Sequence, residues 1–457
     1  MEPVLAGLAR FVSGIPEEAI PDAVRDRAAL VLADTVGAIL GGSREPEIQR
    51  LHVDADRAAG PATVLGASFA RVEPWWAIVT NGLAGTMLEL DEGNRFARGH
   101  PAIHVLPAAL AEAERVGRSG AALLSALVVG YDVAARLGAA APVRPAMHMH
   151  GVHGAVGAAA AVARLRELAV DVTARVLGVA AGLTLGTSWR TALGGATVRN
   201  AYAGVAAANG WLAADLAVAG ITPLPDMLTE TFGRISGAAL DAATVWDGLG
   251  ERFEVSRNYF KRYACCRYNH PAVEALDEIL AATPIAPDRI ASIRVVTSAQ
   301  AATMGERDPV GALGAKFSIP YALAARLVLG PWNDCGVGAF REPALSDARV
   351  RALARLVEVV EDPALTALTP RFRPARVEVR LSDGRALARR VDQPSGEFDR
   401  PYSETALREK FLGLAAQDLG AAGAGTAWEL CRRVDELKSA RDLTDGLRAL
   451  AVSLRSP

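Results

Sequence analysis

Small apolar residues fill long stretches of the first 260 residues, and this pattern constrains the fold more than any other feature. Hydrophobic residues make up 51% of the chain but aromatic residues only 5%, so alanine and leucine supply most of the apolar surface. Such a composition favours closely packed helices. Stretches such as GAVGAAAAVARL and GVAAANGWLAADLAVAG are apolar on nearly every side and let helix backbones approach closely. We expect a large helical domain with these stretches at its centre.

Glycine and hydroxyl residues mark where these helices end and begin. LPAALAEAERV is followed by Gly117, and Ser119 is placed to cap the next helix. That helix, AALLSALVVGYDVAARLG, is interrupted by Asp132 and Arg136. The stretch falls short of the length needed to cross a bilayer, so we expect it to be buried in the protein.

Charge and cysteine content narrow the functional class. The formal net charge is −2, with 49 basic and 51 acidic residues, so no strong field attracts nucleic acid or anionic lipid. The N-terminus lacks the pattern of a secretory signal, and the four cysteines form neither a zinc-like spacing nor a disulfide framework. We expect a cytoplasmic protein with a small-molecule partner, and neither a nucleic acid nor a membrane partner.

The pattern changes after about residue 270. IASIRVVTS alternates like a half-buried strand, and ARVEVRLSDGRALARRV contains two alternating runs joined by Ser382-Asp383-Gly384, a hairpin signal. Intervening helices are expected at about 270–282, 315–329 and 346–360. The sequence thus predicts a mainly helical protein with a smaller α+β domain.

The expected domain bounds follow from this change. Residues 1–268 and 396–457 form the helical domain, and residues 269–395 form the α+β lid domain. Ser403 is placed to cap the helix that returns the chain to the first domain.

The segment LELDEGNRFARGHPAIH, residues 88–104, gathers polar groups between apolar helices. We expect a loop that is either solvated or lines a cavity, because buried unpaired polar groups are costly. The alternative is helix-end capping and surface charge. The polar residues considered as candidates are Asp91, Glu92, Asn94, Arg95, Arg98, His100 and His104.

The segment MHMHGVHG contains His148, His150 and His153, three of the seven histidines. Their spacing suits a loop that ends before a helix. We do not expect a metal site, because the HExxH and CxxC spacings of zinc sites are absent and hard metals prefer more carboxylates. A structural role for any one of these histidines is the alternative.

Further polar segments occur along the chain. ATVRNAYAG has Arg199 and Asn200 before a small-residue helix, and KFSIPYALA has Ser318 and Tyr321 on either side of a proline. FKRYACCRYNH contains, among others, Lys261, Arg262, Tyr263, Cys265, Cys266, Arg267, Tyr268 and His270. Each segment alone is compatible with a helix cap or a surface ion pair. Together, arginine, lysine and histidine suit a substrate with several carboxylates.

Other enzyme classes lack support in the sequence. There is no P-loop, no GxGxxG after a strand, no GxSxG elbow and no protein-kinase signature. A nucleophilic Cys265 or Cys266 is disfavoured, because adjacent buried thiols often simply pack. An acid/base enzyme without a cofactor remains.

These segments resemble, in the same order, the MmgE/PrpD family, which includes 2-methylcitrate dehydratase, cis-aconitate decarboxylase and iminodisuccinate epimerase. The resemblance is carried by the 88–104 segment, MHMHGVHGAVGAAAAVARL, VRNAYAGVAAANGWLAADLAVAG, KRYACCRYNH, FSIPYALA and PSGEFDRPYSETALREKF. It implies a helical domain with an inserted α+β lid, an active site in the cleft where they meet, no metal or organic cofactor, and a homodimer.

Several site residues are implied by this resemblance. Asp91 and His100 match the family's loop of an acidic residue followed by His-Pro, and His148 matches the histidine before the glycine-alanine helix. Lys261 and Tyr321 match the lysine and tyrosine of the lid.

Departures from the family pattern also bear on function. Arg199 stands where many members have lysine, which turns a possible proton donor into a permanently charged anion clamp. Asp91-Glu92-Gly93 replaces the frequent Asp-Asp-Thr. Cys266 lies near the position of a further active-site histidine of the decarboxylase, which argues against that activity, although His150 is a candidate substitute. The true methylcitrate dehydratases also differ around the lid lysine, so their substrate is not transferred.

The resulting hypothesis is a hydro-lyase resembling 2-methylcitrate dehydratase that dehydrates a small hydroxy di- or tricarboxylic acid. One of His100 and His148 takes the α-proton and the other protonates the leaving hydroxyl, while Asp91 orients an imidazole. The predicted catalytic residues are Asp91, His100, His148 and Tyr321, and the predicted substrate-binding residues are Arg199, Lys261, His150, Cys266 and His270. The alternatives are an epimerase or decarboxylase on a related acid, a non-catalytic carboxylate-binding protein and a zinc hydrolase.

Overall fold

The computed structural model describes residues 1–55, 59–66 and 69–455. Its α-helices are α1 (Pro3–Gly14), α2 (Asp22–Gly42), α3 (Pro46–Ala55), α4 (Pro74–Met87), α5 (Pro101–Val116), α6 (Gly120–Ala140), α7 (His153–Leu165), α8 (Val170–Gly182), α9 (Trp189–Leu193), α10 (Val198–Val218), α11 (Ala242–Trp246), α12 (His270–Ala282), α13 (Ala299–Ala302), α14 (Gly311–Lys316), α15 (Ile319–Leu329), α16 (Ala348–Ala354), α17 (Pro363–Thr366), α18 (Glu404–Arg432) and α19 (Ala440–Arg455). Its strands are β1 (Ala59–Thr63), β2 (Arg71–Val72), β3 (Gly93–Asn94), β4 (Asn258–Tyr259), β5 (Ile290–Thr297), β6 (Val357–Glu361), β7 (Ala375–Leu381) and β8 (Ala386–Val391).

The chain divides into two compact units, each described by itself. Unit 1 comprises Met1–Ser188, Arg199–Phe260 and Ser403–Pro457, and unit 2 comprises Trp189–Val198 and Lys261–Tyr402. Unit 1 is mainly helical and unit 2 contains a mixed four-stranded sheet, which confirms the predicted fold class. The domain bounds expected from the sequence stay a prediction.

Small residues let the central helices of unit 1 pack with their backbones close together. A Cβ atom at Gly210 of α10 would lie 2.2 Å from the carbonyl oxygen of Ala155 in α7. A Cβ atom at Gly130 of α6 would lie 2.6 Å from the carbonyl oxygen of Gly157, also in α7. Any larger residue at these two positions would push the helices apart, so the small-residue stretches form the packed centre, as predicted.

Helix α6 is buried although it carries two charges. It is 21 residues long and, by length and composition alone, could cross a membrane, so the expectation that it is too short was wrong. Unit 1 nevertheless buries 89% of the most apolar 18-residue stretch of α6. Arg136 Nε donates to Asp132 Oδ2 at 2.5 Å, and the other Asp132 oxygen accepts from the Glu254 amide at 2.7 Å. These bonds satisfy both charges within the core.

The sheet of unit 2 has the order β6-β5-β7-β8. Strands β7 and β8 form the predicted antiparallel hairpin, with Ala375 opposite Val391, and β5 lies antiparallel to β7. Helix α12 packs on β7 and β8 and has the predicted bounds. The three predicted strands are therefore confirmed.

Two predicted helices of unit 2 differ in the structure. The helix expected over 346–360 ends at Ala354, and residues 357–361 form β6, parallel to β5. The alternating sequence VEVVE, with β-branched valines, fits a pleated strand better than a helix. The helix expected over 315–329 is interrupted before Ile319, because the Ser318 hydroxyl caps a new helix by accepting from the Tyr321 amide at 2.9 Å.

The C-terminal segment belongs to unit 1 and packs on its N-terminal half. Ser403 caps α18, as predicted, and α18 packs on α2. The buried Lys410 Nζ donates to Asp34 Oδ1 at 2.6 Å and to the Leu90 carbonyl at 2.7 Å. This lysine thereby fixes the backbone immediately before Asp91.

Candidate active site

The loop after α4 is buried and held by backbone contacts. Gly93 and Asn94 pair with Tyr259 and Asn258 as the two-stranded sheet β3-β4. The Asn94 side chain accepts from the amides of Phe96 and Ala97 at 2.9 and 3.1 Å, which closes the following turn. The loop is therefore a rigid support rather than a solvated surface segment.

Asp91 and His100 lie in close contact in this loop. His100 precedes the first residue of α5, and its Nδ1 lies 3.1 Å from Asp91 Oδ2 and 2.6 Å from the Glu92 carbonyl oxygen. A ring nitrogen that faces two oxygens carries the proton, so the lone pair of the neutral ring is on Nε2. The Asp91 side chain is 1% exposed and that of His100 is 13% exposed.

Glu92 supports this pair from the other side. Its carboxyl accepts from the Ala102 amide at 3.0 Å and from the Tyr131 hydroxyl at 2.8 Å, so it closes the first turn of α5. Burial raises the pKa of Glu92 from 4.5 to about 8. The carboxyl is therefore protonated at neutral pH and acts as a structural hydrogen-bonding group.

His104 links α5 to the histidine loop. It lies on the first turns of α5 rather than in the loop expected over 88–104. Its Nδ1 donates to the His100 carbonyl at 2.9 Å, and its Nε2 accepts from the Gly151 amide at 3.1 Å. Burial lowers the pKa of His104 to about 4. Both ring nitrogens have backbone partners, which indicates a structural role for His104.

The histidine loop brings His148 and His150 next to His100. The His150 ring centroid lies 4.8 Å from that of His100 and 4.9 Å from that of His148. His150 Nε2 lies 3.8 Å from Asp91 Oδ2, and burial with the nearby Arg199 charge holds the pKa of His150 well below 6.5. His150 is therefore neutral.

His153 has a different environment. It begins α7, and its ring packs on Phe232 with centroids 4.8 Å apart. Burial lowers its pKa to about 4. These contacts favour a structural role for His153.

Asp91, His100 and His150 could also hold a metal ion. One ligand atom from each lies within 4.8 Å of the others. However, His100 Nδ1 donates to the Glu92 carbonyl, and a metal at that nitrogen would have to displace this proton. His100 Nδ1 is therefore better placed as a hydrogen-bond donor than as a metal ligand.

Arg199 joins the same cluster, but in an unexpected manner. It lies within the first turn of α10, and its Nη1 and Nη2 pair with the two oxygens of Glu89, the second at 3.1 Å. Its Nε donates to His148 Nε2 at 3.2 Å. The guanidinium thus contacts protein groups where the sequence predicted a substrate carboxylate. Glu89, 1% exposed, was missed because nothing in LELDEGN distinguishes it from its acidic neighbours.

A small cavity adjoins His100 within unit 1. Its volume is about 20 Å³, and Met149 and His153 are among its lining residues. It has room for one water molecule and not for a polycarboxylic acid.

Three predicted site residues lie near the start of unit 2 in the chain. Lys261 is fully buried and Cys266 is 7% exposed. His270 Nδ1 lies 3.0 Å from Arg267 Nη1, and its Nε2 lies 3.3 Å from the Cys265 carbonyl. Burial and the neighbouring cations hold the pKa of His270 well below 6.5, so it is a neutral acceptor for Arg267.

Tyr321 lies on the first turn of α15 in unit 2. Its hydroxyl donates to the Ala339 carbonyl at 2.8 Å, and burial raises its pKa above 10. The predicted site residues therefore form two sets. Asp91, His100, His148, His150 and Arg199 come together in unit 1, whereas Lys261, Cys266, His270 and Tyr321 belong to unit 2.

Comparison with known proteins supports a lyase. The chain is 26% identical to a cis-aconitate decarboxylase of Aspergillus terreus over 99% of this chain and 97% of that protein. It is 25% identical to the human cis-aconitate decarboxylase over 98% of this chain and 95% of that protein. It is 28% identical to a cis-aconitate decarboxylase-like protein of Aspergillus oryzae over 90% of each. The relatives support the lyase part of the sequence prediction but not its hydro-lyase part.

The family profiles agree with these relatives. The profile of the MmgE/PrpD N-terminal domain matches residues 6–241, and that of the MmgE/PrpD C-terminal domain matches residues 263–436. Together the two profiles cover most of the sequence. The chain therefore belongs to the MmgE/PrpD family.

Proposed function

We propose that the chain is a lyase that acts on a small di- or tricarboxylic acid by proton transfer at His100, without a metal or organic cofactor. The observation that carries this proposal is the placement of His100 Nδ1, which donates to the Glu92 carbonyl at 2.6 Å and lies 3.1 Å from Asp91 Oδ2. This arrangement orients the ring and directs the basic Nε2 away from the buried carboxylate. A carboxylate on the far nitrogen also stabilises the imidazolium that forms when Nε2 takes a proton.

Loss of CO₂ is the first candidate reaction. It is favoured by relatives named cis-aconitate decarboxylases that match 98–99% of the chain. The bond between the substrate carbon and its carboxylate breaks, the electron pair stays on the carbon skeleton, and the His100 imidazolium delivers one proton to that skeleton. In this reaction His100 begins protonated and ends neutral.

Loss of water is the second candidate reaction. It was the leading hypothesis from the sequence alone. It needs a base and an acid, and the acid is a group other than His150, because His150 is neutral. Neutral His100 takes the proton next to the carboxylate, the electron pair forms the double bond, and hydroxide leaves with a proton from a second group.

Both reactions place negative charge beside a carboxylate and therefore need cationic donors. Lys261 stays the predicted donor, because Arg199 pairs with Glu89. A Lys261→Met variant should raise KM for a polycarboxylate more than it lowers kcat.

The experiment is product analysis with a panel of unsaturated and hydroxylated di- and tricarboxylic acids. Released CO₂ with an alkene product supports decarboxylation, whereas a new alkene with an unchanged carbon count supports dehydration. His100→Gln should lower kcat about 100- to 10,000-fold, as loss of a positioned proton carrier does. His52→Gln is the matched control, since His52 is also buried in unit 1 but lies on α3.

Two results would refute the proposal. One is full turnover by His100→Gln on the same substrate. The other is activity that chelators abolish and a stoichiometric metal restores, which would make Asp91, His100 and His150 a metal site.

A further inference from the structure

Arg199 contacts two groups at once, a carboxylate and an imidazole. Its two terminal nitrogens pair with the Glu89 carboxylate, and its Nε donates to His148 Nε2 at 3.2 Å. The relative exposures are 1% for Glu89, 1% for Arg199 and 3% for His148. The ion pair is therefore shielded from water, and its geometry fixes the direction of the Nε–H bond.

A second donor faces the other nitrogen of His148. The amide of His150 lies 3.0 Å from His148 Nδ1. A neutral imidazole has one lone pair, so it can accept from only one of these two donors. An imidazolium has no free lone pair, and it would place one N–H group against each of the two donors. His148 can therefore take up a proton only if Arg199 or the loop moves.

The rest of the His148 surroundings restricts such movement. Thr187 accepts from the His148 amide at 3.2 Å and donates to its carbonyl at 2.6 Å. The Tyr202 ring lies 6.2 Å away between centroids. The backbone of His148 is thus fixed on both sides, and the side chain has little freedom to turn from Arg199.

The backbone of Glu89 supports a dedicated role for this carboxylate. Glu89 follows the C-terminus of α4 with φ of +55°, a left-handed conformation in which glycine is favoured. Residues with a side chain persist in such conformations where the surroundings require that side chain. Here the surroundings are the Arg199 guanidinium.

We propose that Glu89 and Arg199 are positioning residues that hold His148 as a neutral hydrogen-bond partner, so that proton transfer falls to His100. This inference rests on the proposed function. It also gives a reason for arginine rather than lysine at position 199. A guanidinium can contact Glu89 with two nitrogens and His148 with the third, whereas an ammonium is a single point charge.

The test combines nuclear magnetic resonance with kinetics. The free protein is labelled with ¹⁵N-histidine, the seven histidines are resolved at pH 7, and the His148 signals are assigned by their loss in His148→Gln. We expect one protonated and one unprotonated ring nitrogen for His148 in the wild type. Glu89→Gln and Arg199→Lys should change the populations of the two tautomers.

Kinetics distinguish positioning from substrate binding. If Arg199 positions His148, Glu89→Gln and Arg199→Lys should lower kcat about 10- to 100-fold with little change in KM. If Arg199 instead binds a substrate carboxylate, KM should rise. Glu112→Gln is the matched control, because Glu112 is also a buried glutamate paired with arginine in unit 1, and it should leave the His148 signals and kcat unchanged.

The outcomes separate the two proposals. A His148 imidazolium at pH 7 in the wild type, or a rise in KM at constant kcat in both variants, overturns the inference. If Glu89→Gln does not fold, the results for Arg199→Lys decide whether the inference holds. If the wild type turns over no polycarboxylic acid, the proposed function fails while the His148 signals still decide the protonation claim.

Discussion

Replacing Glu92 by glutamine should make the protein more stable at alkaline pH. Glu92 is buried with two donors at its carboxyl, the Ala102 amide and the Tyr131 hydroxyl. Glutamine has nearly the same shape and stays uncharged at every pH. Its carbonyl can accept from Ala102, and its amide can donate to the Tyr131 oxygen.

The magnitude follows from the pKa of Glu92, which burial raises from 4.5 to about 8. Below pH 4.5 the carboxyl is protonated in both the folded and the unfolded chain, so its full contribution to stability is present. Between pH 4.5 and about 8 only the unfolded chain ionises, and the free energy of unfolding falls with rising pH. The total loss is about 5 kcal/mol at about 1.4 kcal/mol per pH unit. Glu92→Gln does not incur this loss.

Urea unfolding at a series of pH values between 4 and 9 measures the effect. At pH 8.5 we expect the variant to exceed the wild type by several kcal/mol, and at pH 4 the two should agree to about 1 kcal/mol. Glu112→Gln is the control, because the contribution of Glu112 to stability should depend on pH in the opposite direction. Arginine contacts hold the pKa of Glu112 below 4.5, so its contribution is present above pH 4.5 and is lost as the pH falls.

Parallel pH profiles for Glu92→Gln and the wild type would refute this reasoning. They would mean that Glu92 is ionised in the folded protein. The hydrogen bond from His100 Nδ1 would then lie next to a charged carboxylate, and the assignment of Glu92 as a neutral support would be wrong.

Further predictions concern packing and hydrogen bonding. Lys410→Met should lower the free energy of unfolding by about 3–5 kcal/mol in urea titrations, because it removes the ammonium group that contacts the buried Asp34. Gly154→Ala should lower it by about 1–3 kcal/mol, because the new Cβ would lie 2.2 Å from His104 Cγ. Tyr321→Phe should cost about 1 kcal/mol and change kcat less than about tenfold, because the hydroxyl donates to a backbone carbonyl.

Each of these predictions has a control or a contrary result. Lys438→Met removes an exposed lysine and should leave stability unchanged. Gly14→Ala adds a Cβ with no atom within 4 Å, so it should be tolerated. For Tyr321→Phe, a loss of kcat beyond about 100-fold would instead support the catalytic role predicted from the sequence.

Local signals predicted much of the fold. The caps at Ser119 and Ser403 and the hairpin turn at 382–384 depend on neighbouring residues, so the sequence reveals them directly. Strand β6 was missed because it pairs in parallel with β5, more than sixty residues earlier in the chain. Such pairing is decided by tertiary contacts that a local pattern does not contain.

The candidate site was predictable in its residue types but not in its partners. Asp91, His100 and His148 stand out in the sequence because charge and imidazole interrupt apolar helices. The bond between Arg199 and Glu89 joins residues 110 positions apart, and only the fold brings them together. The role of His104 as a structural link was likewise invisible, because it depends on the Gly151 amide.

The contact of Lys410 with the Leu90 carbonyl spans 320 positions and has a consequence for protein synthesis. During translation, His100, His148 and Arg199 emerge from the ribosome long before Lys410 is added to the chain. Until then, the backbone next to Asp91 lacks its ammonium support, and the nascent chain holds its acid/base residues in an unfinished domain. Catalytic competence should therefore arise late in translation, and a premature stop near residue 400 should yield an inactive polypeptide that retains every proposed proton carrier.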